Sequence, residues 1–333
     1  MGSLNDERGG SARTQSVLEV FCSRSLQMSV SKSEKAASQR KCAEELLSLD
    51  ISYRRGIMAQ LCFDRIGQKQ EFLVERFHDT ENWNETAYFM LLRSLDIKGN
   101  RPSYERLARI LPYRYFSKLA YDCRSIGAML LGCAGLLPRL SAVYGDDREV
   151  AELQSIFDYE RHKYNFEQMS IRDWQLVGHM GDNHPVVRLL QLASLLSQHE
   201  YLLNDILDCR TKKDVEKLFC LTSIPTWAER FLSGQNQGGA ITRTKAHMLG
   251  INVVAQMQIF YSEYTLRSDL DSRGIDLLEQ LPAEDNLYVG RWSKLGIKAE
   301  NALESQALLQ LTKAYCSPME CEKCPFRRFM EAK

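Results

Sequence analysis

Apolar residues recur at steps of three and four along almost the whole chain, and that spacing leaves room for little besides helices. Ala246, Leu249, Val253, Met257, Phe260 and Tyr264 define one such stripe. Leu303, Ala307, Leu311 and Ala314 define another, on a helix that leads into Cys316. Side chains three and four apart share a helix face, so each stripe marks the flank that a helix would bury. No sustained alternation of apolar and polar residues between hairpin turns competes with this pattern. The expected fold class is all-α, a multi-helix bundle or irregular helical array of about a dozen helices with short connections.

Start and stop signals agree with the stripes. Asn82 with Glu85, Asp146 with Glu149, and Thr211 with Asp214 have the spacing of capping boxes, and Pro185 follows Asn183 where an early helical proline is welcome. Gly99, Gly145, Gly181, Gly274 and Gly296 fall between periodic runs, and Pro112 and Pro138 interrupt others. Residues 1–13 are polar and glycine-bearing and read as a disordered tail. The run Ser233–Thr242 is the best interior hinge, dividing a helical domain at 14–232 from a C-terminal subdomain at 243–333, unless the two are one continuous domain. No repeat of fixed period suggests a solenoid.

Composition narrows the partners. Lys+Arg and Asp+Glu both number 43 in 333 residues, so the whole molecule has no net field to draw it onto nucleic acid or an anionic membrane. The longest apolar run, Ile126 to Leu137, is too short to span a bilayer, and no secretory leader opens the chain. A reducing cytoplasm is the expected setting, with no membrane partner. Clustered cysteines there favour metal over disulfides.

Of ten cysteines, three stand together: Cys316, Cys321 and Cys324, in a Cys-x4-Cys-x2-Cys run. One short loop can aim three thiols at one point, and thiolates select zinc or an iron–sulfur cluster. A closed site needs a fourth ligand, for which Cys220, Cys209 or a histidine are candidates. Ordinary tail cysteines are an equally weighted alternative. Cys22, Cys42, Cys62, Cys123, Cys133, Cys209 and Cys220 sit mostly among apolar neighbours and read as small core residues.

Several blocks resemble a bacterial family catalogued as domain of unknown function 2851. They are Leu277-Leu-Glu-Gln-Leu-Pro-Ala-Glu-Asp-Asn286, Arg291-Trp292, Asn301-Ala302, Ser305-Gln306-Ala307-Leu308 and the closing cysteines. Gly132-Cys-Ala-Gly-Leu-Leu137, Arg161-His-Lys-Tyr164 and Pro185-Val-Val-Arg-Leu189 with Gln191 support the likeness, which runs from about Ile57 to the C-terminus. Longer members of that family carry an N-terminal half with acidic motifs reminiscent of metal-dependent nucleases. The resemblance therefore implies a chain matching the helical C-terminal part alone, without those carboxylates. Glu304 stands where the family usually has aspartate. The tail is also weakly similar to the iron–sulfur loop of endonuclease III-type glycosylases, which uses four cysteines and a longer first gap.

Three further groups carry candidate chemistry. Arg101, Arg106, Arg109, Arg114, Lys118 and Arg124 are interleaved with Tyr104, Tyr113, Tyr115, Phe116 and Tyr121, a pattern that suits phosphate contact with base stacking. Two amphipathic helices with rings inward explain the same run more economically. Arg161 and His162 lie in one helical turn, and Arg188 shares a face with His184. Glu284, Asn286, Arg291, Asn301 and Gln306 could line a pocket or equally cap helix ends. No phosphate loop, His-Glu-x2-His helix or nucleophile elbow is present. The leading expectation is a binding or scaffold module, not an enzyme by itself, with a structural metal or iron–sulfur site and a protein partner, nucleic acid being the second partner class. The alternative is a nucleic-acid-processing enzyme acting through Arg161, His162, Arg188, Glu284 and Asn286.

Overall fold

The computed structural model describes residues 32–96, 99–145, 147–177, 183–220, 225–231 and 239–327. Among these, every regular element is helical, and the α-helices number fifteen. In chain order they are α1 (Lys32–Ser48), α2 (Ile51–Thr80), α3 (Trp83–Leu95), α4 (Arg101–Ile110), α5 (Cys123–Cys133), α6 (Leu137–Tyr144), α7 (Arg148–Tyr164) and α8 (Pro185–Gln198). There follow α9 (Leu202–Asp208), α10 (Lys212–Cys220), α11 (Arg243–Leu249), α12 (Ala255–Thr265), α13 (Ser268–Gln280), α14 (Leu287–Lys294) and α15 (Ala302–Gln310). Short 3-10 turns join several of them, and π-helical turns occupy Gly250–Val254 and Leu311–Cys316.

The caps explain where helices begin. Asn82 accepts from the backbone N–H groups of Asn84 and Glu85 at the start of α3, and Thr211 and Asp214 bond reciprocally before α10. The cap of α7 is Asp147, which accepts from the Glu149 N–H; Asp146 and Gly181 lie outside the described residues. Glu81, at φ 47°, ends α2 in the left-handed region, and the Asn82 cap restarts the chain at once. Gly274 is a correction to the expected stops. It lies inside α13, where a side chain would run into Ile259, so it marks close packing against α12.

At the centre lie α5 and α8, packed against each other. From Ile126 to Cys133 and from Pro185 to Leu196 every residue is buried; α5 is apolar all round there, and in α8 the buried Arg188 donates to Gln191. The Gly132–Leu137 block closes α5 against its neighbours. A methyl at Gly132 would collide with the Phe157 ring on α7, and Gly135, at φ 70°, lies against the Met169 carbonyl. The Ala134 carbonyl accepts from Trp174 Nε1 at 2.7 Å.

The long helix α2 carries one apolar flank, Ile57, Leu61, Ile66, Leu73 and Phe77, and packs along α15 and against α3 and α12. Residues from both sides of the expected hinge share one core, running from Ala43 to Phe326. Most of Ser233–Thr242 and all of residues 1–13 lie outside the described residues. Among the described residues no single helix is long and apolar enough to cross a membrane. The α5–α6 pair passes only as a span bent by 97°.

Candidate metal centre and polar core

The α15 helix leaves α-geometry at Leu311, and its wider π turn ends at Cys316. The chain then reverses. The Glu320 N–H returns to the Tyr315 carbonyl at 2.9 Å, Met319 takes φ 63°, and a 3-10 turn at Cys321–Lys323 delivers Cys324, whose N–H bonds the Cys321 carbonyl. Cys316 and Cys321 are half-buried, and Cys324 is buried.

These three thiols line a cavity of about 410 Å³, and a fourth cysteine lines it with them: Cys42, from α1. Leu46, Trp292, Leu311 and Phe326 supply apolar wall, Lys41 and Arg327 supply positive charge, and Glu45 supplies one carboxylate. Trp292 is fully buried and is fixed by its Nε1, which donates to Thr312 Oγ1 at 2.7 Å. Burial raises the Cys42 thiol above its ordinary value, and the neighbouring Cys321 and Cys324 raise it further. Cys316 is pushed up to about 12 by burial, then by Cys324, Cys42 and Cys321. Burial raises Cys324 as well, so Cys42, Cys316 and Cys324 resist ionising, a cost that a bound cation offsets.

Among the described residues no three Cys, His, Asp or Glu side chains converge on a point where a single ion would sit. The four cysteines share one cavity instead. Cys42 is therefore not the isolated core residue that its local sequence suggests. Cys209, expected as a fourth ligand, donates its thiol to the Asp205 carbonyl, and neither it nor Cys220 lines the cavity. Cys22 lies outside the described residues.

A second assembly lies where α2, α15 and the Gly250–Val254 turn meet. The side-chain carbonyl of Gln306 accepts from Arg65 Nε at 2.8 Å and from Lys69 Nζ at 2.9 Å. Its amide nitrogen donates to Glu284 Oε1 at 2.8 Å. Lys69 also donates to Asn252 Oδ1 at 2.9 Å, and Asn286 Nδ2 reaches Glu284 Oε2 at 3.1 Å. Burial, reinforced by the Arg65 charge, pushes the Lys69 ammonium down to about 7. Asn252 sits in one π turn and Lys313 in the other, and such turns often re-aim side chains at functional positions. Gln256, one turn beyond Asn252, and Gln310, one turn beyond Gln306, are buried with amide atoms that find no hydrogen-bond partner among the described residues.

Glu284, Asn286 and Gln306 are thus brought together, and Arg65, Lys69 and Asn252 join them unannounced by any motif. The one available signal is a pair of cations four apart on the otherwise apolar flank of α2. Asn286 and Asn301 also serve as caps of α14 and α15, and Arg291 lies beside the Tyr288 ring. The rest of the expected pocket set bonds elsewhere. Arg161 bonds Gln168 on the surface beside the exposed His162, and the buried Arg188 donates to Gln191 and Asn183.

The arginine-rich run folds with its rings inward. Tyr104, Tyr113 and Phe116 are buried, and Tyr115 and Tyr121 are half-buried. Arg106 bridges Glu167 and Asp173, and Arg124 reaches Glu149 and Glu152. Arg109 stacks on Phe89, Arg114 on Tyr115, and Lys118 on Tyr115 and Tyr164. Arg101 begins α4.

No curated protein and no solved structure matches this chain. A family model described as a protein of unknown function (DUF2851) matches residues 7–287. The match begins well before Ile57 and ends before the closing cysteines. It spans most of the sequence, so the chain belongs to the DUF2851 family.

Proposed function

We propose that this protein is a helical binding or scaffold module whose α1 helix and C-terminal tail are clasped by a thiolate-held metal centre. The reading rests on one observation: Cys42 lines the same cavity as Cys316, Cys321 and Cys324. Four protein ligands close a coordination shell and leave no open position for substrate, which makes the role structural. The module acts through a partner protein. Nucleic acid is the second partner class and would use the face carrying Arg106, Arg109 and Arg114.

Elemental analysis of protein purified without oxygen tests the clasp. Bound metal should be present in the native chain, fall sharply in Cys42→Ser, and be unchanged in Cys209→Ser. Chelation should lower the thermal midpoint. Metal-free protein whose melting ignores chelators would overturn the reading. For nucleic acid, a filter-binding assay across salt concentrations should show weaker, less salt-dependent binding when Arg106, Arg109 and Arg114 are all alanine. Unchanged binding in that variant removes nucleic acid from the partner classes.

A further inference from the structure

We propose that Cys42, Cys316, Cys321 and Cys324 are the four ligands of a cubane iron–sulfur cluster seated between α1 and the C-terminal tail. This rests on the metal-clasp reading above and names its occupant.

Size decides between the two metals that four thiolates suit. With zinc–sulfur bonds of about 2.3 Å, a closed tetrahedral site draws its sulfurs to about 3.8 Å from one another and encloses no space. In a cubane the irons take alternate corners, and each carries one cysteine sulfur outward. The four cysteine sulfurs then stand at the corners of a larger tetrahedron with the whole cluster inside. The cavity has room for the second form. The four cysteines line, together with ten other residues, a cavity of about 410 Å³, on the order of a dozen waters' worth of space, and among the described residues no three Cys, His, Asp or Glu side chains converge on a single-ion point.

The walls suit the same occupant. Leu46, Trp292, Leu311 and Phe326 give an apolar shell that limits water around the inorganic sulfides. A cubane held by four thiolates carries net negative charge, and Lys41 and Arg327 outweigh Glu45 in the cavity lining to offset part of it. The ligand arrangement is also coherent. Three cysteines come from one compact tail and the fourth from the distant α1, so binding the cluster fastens the two ends of the described chain to each other.

The test is anaerobic purification of the full chain, reconstitution with ferrous iron and sulfide, and measurement of iron, sulfide and zinc with the visible absorption spectrum. Iron and acid-labile sulfide should appear in equal amounts, about four of each per chain, with broad absorption that dithionite bleaches. Cys42→Ser should lose most of that iron and absorption, and Cys209→Ser should retain it. Circular dichroism of both variants separates ligand loss from misfolding. One zinc per chain without sulfide would overturn the cluster and leave the metal clasp standing. A chain that takes up neither metal overturns both, and a full cluster in Cys42→Ser overturns the fourth ligand.

Discussion

Lys69 donates to two side-chain amide oxygens while standing one helical turn from Arg65. A neutral amine keeps two N–H donors, so losing its proton does not cost Lys69 either bond. That is why desolvation can push its ammonium down to about 7 from the ordinary lysine value near 10.5 without breaking the network. The sign of the stability effect follows. Below about pH 7 both folded and unfolded chains hold the proton, and the folded state bears the full cost of burying it. Between about 7 and 10.5 the unfolded chain still holds the proton that the folded chain has released, so stability rises with pH. Lys245, pushed down to about 7 by burial, contributes in the same direction. Lys69→Met should flatten the rise in urea midpoint between pH 7 and 9.5, leaving the share due to Lys245. An equally steep rise in the variant would show that Lys69 is not buried as a cation. Of this cluster, Glu284 and Gln306 were legible in the sequence because they sit in a dense polar block. Arg65, Lys69 and Asn252 were not, because two cations on an apolar flank look like any surface pair until α15 covers them.

Elements were legible where a single turn of chain carries its own reason. Asn82 and the Thr211–Asp214 pair cap their helices as spacing predicts. Glu85 occupies the reciprocal position of a capping box, yet its carboxylate accepts the backbone N–H groups of Tyr113 at 2.8 Å and Arg114 at 3.1 Å. It is buried, and a distant pair of donors offers it better satisfaction than its own helix start. It thereby ties α3 to the turn after α4. Glu85→Ala would strand two backbone donors and should cost roughly 2–4 kcal/mol in urea unfolding, whereas Asn82→Ala at the neighbouring cap should cost about 1 kcal/mol. Equal losses would mean that the carboxylate acts only as a helix cap. The stripe from Ala246 to Tyr264 was only partly correct. Its first five residues are buried, but the chain passes through a π turn at Gly250–Val254, and Tyr264 emerges half exposed. Periodicity assumes a constant pitch, and a π turn changes it. Gly274 misled for a related reason: a glycine between apolar runs can be a stop or a close helix contact, and only the partner helix distinguishes them.

At the scale of the molecule, the sequence by itself determined an all-helical chain, many of its caps, and three of the thiols on its tail. Those features depend on residues within a few positions of one another, where spacing is equivalent to geometry. The tertiary structure alone decided which distant residues meet. It carried Cys42 from α1 to the C-terminal thiols and set Lys69 and Arg65 against Gln306. It also turned the rings of the arginine-rich run into core and joined the two sides of the expected hinge in one apolar interior. Burial of apolar surface is non-directional, and many pairings of amphipathic faces satisfy the same local pattern. The choice among them is made by the fit of the whole set, as where Gly132 admits Phe157 and Gly274 admits Ile259. A fourth thiol at the far end of the described chain therefore has no local signature.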